Sequence, residues 1–70
     1  MKALKFYDKE RVGFELFMDY EKQSVTLHVD DRESDIEVVL EFDDDDLDDI
    51  IIALVELKNE LVIHRNVSNN

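Results

Sequence analysis

The sequence predicts an α+β domain, a four-stranded antiparallel β-meander followed by one C-terminal α-helix packed on one face. Three observations carry this expectation. Before residue 43, apolar and polar residues alternate through four successive segments, the period of strands with one face in a core and the other in water. The connections between these segments are short and polar, lengths that suit antiparallel hairpins and are too short for parallel crossovers. After Phe42 the apolar period lengthens to that of a helix.

The first strand is expected over Ala3 to Tyr7, with Leu4 and Phe6 on one side. The second, Arg11 to Tyr20, places Val12, Phe14, Leu16, Met18 and Tyr20 in register. The third runs from Ser24 to Val29 with Val25, Leu27 and Val29 inward, and the fourth from Asp35 to Phe42 with Ile36, Val38, Leu40 and Phe42 inward. No Asn-Gly or Asp-Gly pair marks the turns, so the loop types are not read from the sequence. Asp43 is placed to cap a helix whose first turn holds Asp44, Asp45 and Asp46, where the helix dipole favours negative charge.

On a helical projection Leu47, Ile50, Ile51, Leu54, Val55, Leu57, Leu61 and Val62 span roughly 160° of arc, wider than the ~100° stripe of a surface helix. Ile52 and Ile63 fall outside even that arc. One sheet face cannot cover so much apolar surface, and pairing of helices in a homodimer is the simplest cover, with Ile51, Ile52, Val55 and Val62 as the expected interface. Residues 61–66 could continue the helix or start another strand; helix to about residue 63 is favoured. A single domain over residues 1–65 and a disordered tail over 66–70 are expected.

Seventy residues allow one domain, and a chain of this size hides only about 60 % of its unfolded surface. Domains this small usually need a staple, and with no cysteine neither a disulfide nor a thiolate zinc site is open to this one. Packing or oligomerisation must serve instead. The start has no apolar run, and the longest such run, Ile50 to Val55, is far below the ~20 residues of a membrane span, so a cytoplasmic protein without membrane contact is expected.

The net charge of −11 lies wholly in Asp30 to Asp49, where twelve carboxylates face one cation, Arg32. Residues on either side are electroneutral. A localised charge makes a directional field that steers a basic partner, whereas dispersed acid mainly confers solubility. The same field opposes direct binding to nucleic acid, which gains affinity by neutralising phosphates with Lys and Arg.

Enzyme chemistry finds little support. Read as a calcium loop from Asp43, the run lacks both the glycine at the sixth position, which is Asp48, and the glutamate at the twelfth, which is Leu54, so no metal site is expected. Paired carboxylates can perform acid and base work, but only in a pocket, and one glycine and no long loop leave little room for one. His28 and His64 stand apart from other ligand types, no serine sits in a glycine-flanked elbow, no phosphate-cradling loop occurs, and no cofactor is implied.

Protein recognition remains. Carboxylates at this density can stand in for phosphates and occupy the groove of a basic, nucleic-acid-binding protein, as small viral and mobile-element inhibitors do. The expected surface is one continuous block comprising Asp30, Asp31, Glu33 and Asp35 in the loop, Glu37 and Glu41 on the outward side of the fourth strand, and Asp44, Asp45, Asp48 and Asp49 at the helix start. The alternative is a homodimeric assembly module whose acidity serves solubility, acting through its helix or through a patch of Tyr7, Phe17 and Val39 on the outward sheet face.

Overall fold

The computed structural model describes residues 2–31 and 33–68. Strands β1 (Leu4–Tyr7), β2 (Gly13–Asp19), β3 (Ser24–Asp31) and β4 (Ile36–Phe42) precede a single helix, α1 (Asp44–Ser68). The strands form one sheet in the order β1-β2-β3-β4, every pair antiparallel. The expected meander and its terminal helix are therefore present, with strand ends within two residues of those expected.

The register assigns the two faces. Phe14 lies opposite Val29 and Val29 opposite Val38; Leu16, Leu27 and Leu40 form the next row, and Met18, Val25 and Phe42 the third. Leu4 and Phe6 extend these rows onto β1, and the Phe6 and Phe14 rings stack with centroids 5.4 Å apart. Asp31, paired with Ile36, is a charged residue on this face at the turn end. The other face carries Lys5, Glu15, Asp19, His28, Asp30, Glu37 and Glu41, together with Thr26, which is only 5 % exposed between Phe17 and Glu41.

Each hairpin is organised by an aspartate. Asp8 Oδ1 accepts the backbone N–H groups of Glu10 (2.9 Å) and Val12 (2.8 Å), Asp19 Oδ1 those of Glu21 (3.1 Å) and Lys22 (3.2 Å), and Asp31 Oδ1 that of Glu33 (3.2 Å). The chain then re-enters the sheet through a left-handed residue, Arg11, Gln23 or Asp35, with φ of 70°, 53° and 52°. Aspartate side chains that bond the backbone two residues on build turns without glycine.

One residue separates β4 from α1. Asp43 Oδ1 accepts the Asp46 N–H at 2.8 Å, and Asp46 Oδ2 accepts the Asp43 N–H at 3.1 Å, a reciprocal capping box with aspartate in the place usually held by glutamate. The helix continues to Ser68, so residues 66–68 of the expected tail are helical; the remainder of that tail, 69–70, lies outside the described residues.

The packing of this helix across a sheet face is not found in the single chain. Its sheet contacts run to β4; Leu47, Ile50 and Val62 are half-buried, and its other large apolar residues are exposed, Leu54 at 60 % and Ile63 at 63 %. A one-residue connection locked in a cap leaves no slack for the helix to fold back. Among the described residues no apolar side chain is buried, and the molecule measures 50 × 33 × 19 Å. Its radius of gyration is 15.2 Å, where a compact domain of this length has about 11 Å.

Candidate functional site

The acidic residues divide into two groups at opposite ends of β4. At one end lies the β3–β4 turn with Asp30, Asp31, Glu33 and Asp35; at the other lies the helix start with Asp44, Asp45, Asp48 and Asp49. The seven residues of β4 hold these ends roughly 23 Å apart along the strand. The chain presents two anionic clusters, with Glu37 and Glu41 on β4 between them.

The bridge is partly compensated. Lys22 Nζ stands 2.8 Å from Glu41 Oε1, and His28 Nε2 is 3.8 Å from Glu37 Oε1. The Lys22 pKa is raised above its usual value, first by its hydrogen bond to Glu41 and then by the Glu41 charge. Both carboxylates lie on the polar face, so neither shares a surface with the apolar rows.

Within the turn cluster the acids differ in role. Asp31 lies on the apolar side and holds the Glu33 N–H, a structural task that sequence reading did not assign to it. Asp30 sits directly opposite Glu37 across the β3–β4 ladder. Like charges in that position are destabilising, so this pair adds an electrostatic cost that a cation bound from outside would relieve. In the helix cluster, Asp43 and Asp46 form the cap, while Asp44, Asp45, Asp48 and Asp49 are exposed and form no ion pair among the described residues.

The polar face also has an open hollow of about 300 Å³ lined by Lys5, Tyr7, Gly13, Glu15, His28 and Asp30. Gly13 admits the close approach of the Tyr7 ring, which a Cβ there would meet at 3.1 Å. Lys5 and Glu15 pair at 3.8 Å on its wall. Phe17 lies opposite Thr26 and Val39 opposite His28, so the expected apolar patch straddles β3, with Val39 51 % exposed. Among the described residues no three His, Asp or Glu side chains converge in a metal-ligating group.

The four residues expected at an interface all lie on α1. Ile51, Ile52 and Val55 are exposed and Val62 is half-exposed. Sequence reading missed a larger feature, the bare sheet rows themselves, which it assigned to a core. The available signal was the arc of α1, too broad for one sheet face, although it did not reveal that the chain's own sheet would also lack a cover. No described helix is long and apolar enough to cross a membrane. Comparison with protein families, with curated proteins and with solved structures finds no match, so the geometry alone carries the functional reading.

Proposed function

We propose that this chain is a non-enzymatic, acidic interaction module of the cytoplasm that works as a homodimer and binds a basic protein, occupying a groove that otherwise holds DNA or RNA. The observation that supports the partner is the pair of exposed carboxylate clusters at the two ends of β4, which lack compensating cations among the described residues. Two anionic points roughly 23 Å apart match an extended basic groove better than a small cationic pocket. The homodimer is supported by the apolar sheet rows and helix, which a single chain leaves open.

Affinity capture from the native cell extract at low salt, with elution on a salt gradient and identification by mass spectrometry, tests the partner. One basic nucleic-acid-binding protein should elute with salt and be released by competing DNA. The combined variant Asp44→Asn, Asp45→Ser, Asp48→Asn and Asp49→Ser should lose that capture while keeping the Asp43–Asp46 cap. Capture indifferent to salt and to this variant refutes the acidic reading.

A second reading is favoured by the bare apolar faces alone: an assembly module whose acid confers solubility. It requires association that survives high salt and depends on Phe17, Val39 or Ile52.

A further inference from the structure

The chain has two large apolar surfaces, and within one copy the helix meets the sheet at β4 while most of its apolar residues stay exposed. Its accessible surface is 6426 Å², whereas a folded monomer of 8.3 kDa exposes about 4,600 Å². The excess, roughly 1,800 Å² per chain, corresponds to about 3,600 Å² for a pair, within the range of obligate homodimers. Standard complexes between preformed proteins bury about 1,600 Å², close to half of that. A second copy is therefore an occupant of the right size, and it carries both halves of the missing core.

We propose that two copies exchange helices, each α1 lying across the apolar sheet face of its partner. This rests on the homodimeric part of the function proposed above and specifies which surfaces meet. Three features carry it. From its one-residue, doubly bonded junction at Asp43, α1 meets its own sheet at β4 and leaves Leu16, Leu27 and Leu40 uncovered, a row that the α1 of a second copy can cover. The broad arc of α1, from Leu57 through Leu54 to Val55, is an apolar surface wide enough to seat on that row, and the helix is about 38 Å long, enough to cross the whole sheet.

Charge sets the polarity. Lys58 and Arg65, the Lys and Arg residues of the described helix, lie on this same broad arc in its C-terminal half. At the turn end the apolar sheet face carries Asp31, beside Glu33 and Asp35 in the chain. Seating the C-terminal half of α1 at that end brings opposite charges together, while the reverse orientation would place Asp44, Asp45, Asp48 and Asp49 against the turn acids. Ile52, Ile63 and Val67, on the opposite side of the helix, then remain for contact between the two exchanged helices.

The test uses the full chain with benzoylphenylalanine in place of Leu54, irradiated at a concentration where sedimentation equilibrium shows the association state. Exchange predicts a crosslinked species of twice the chain mass on a denaturing gel, with the acceptor residue in β2, β3 or β4. Lys58→benzoylphenylalanine, a polar position on the same arc, supplies the same readout where the Leu54 variant does not fold. A dimer whose crosslinks run only from helix to helix overturns the exchange and leaves the homodimer standing. A sheet crosslink at single-chain mass, with the helix folded on its own sheet, also overturns the exchange. A monomer by sedimentation overturns both the exchange and the homodimer.

Discussion

Three aspartates and three left-handed residues do at the residue scale what glycine and proline usually do. Asp8, Asp19 and Asp31 each hold the backbone of a turn, and Arg11, Gln23 and Asp35 accept a positive φ that costs a non-glycine residue roughly 1–2 kcal/mol. Gln23→Gly should therefore stabilise the protein by up to about 1 kcal/mol, read as a rise in denaturation midpoint; a loss would show that Gln23 makes a compensating contact. The Lys22–Glu41 pair makes a prediction with a defined sign. Because the folded Lys22 pKa lies above the ordinary value of 10.5, its contribution is fully present below that pH and fades as pH rises through the folded value. Lys22→Gln should melt below the parent at neutral pH, with the gap closing in strong alkali; a gap independent of pH assigns the effect to something other than this pair.

At the element scale, the junction and the two sheet faces are separable by mutation. Asp43→Ala removes the acceptor for the Asp46 N–H and should cost about 1 kcal/mol, with loss of helical circular dichroism in the first turn. Leu40 and Val39 are neighbours on β4 that face opposite ways. Both are about half exposed in the single chain, where truncation of either would cost no more than about 0.5 kcal/mol. With the apolar face covered in an assembly, Leu40→Ala should instead cost about 2–3 kcal/mol while Val39→Ala stays near neutral. Equal, small effects by denaturant titration would show that nothing covers that face.

At the scale of the whole molecule, hydrophobic cover and charge repulsion oppose one another. A dimer must bring together two chains of −11 each, and both carry acid at the ends of β4. Added salt shortens the Debye length from about 30 Å at 0.01 M to about 3 Å at 1 M, weakening that repulsion while leaving apolar burial in place. The melting temperature should rise with sodium chloride and, by mass action, with protein concentration. A melting temperature that does not change with protein concentration would show that unfolding is not coupled to association. Partner binding should respond in the opposite direction, weakening with salt, so the two effects are distinguishable on one sample.

The sequence alone determined the four strands, their antiparallel order, the capped start of the helix and the concentration of charge in residues 30–49, because these depend on local periodicity and composition. Alternation also placed Phe17 and Val39 together on the outward face, while the pairing of Phe17 with Thr26 and of Val39 with His28 is read from the register. The turn chemistry was present but not legible, since an aspartate that will cap a turn looks the same in one dimension as an aspartate that is merely solvated. Only the tertiary structure decided where the helix goes and how the acids are shared out. Alternation says which side of a strand is apolar but not what lies against it, and the reciprocal Asp43–Asp46 cap at the β4–α1 junction is formed by two side chains closing on each other's backbone. The separation of the acids has the same origin: residues contiguous in sequence are carried to opposite ends of β4 because an extended strand advances about 3.3 Å with every residue.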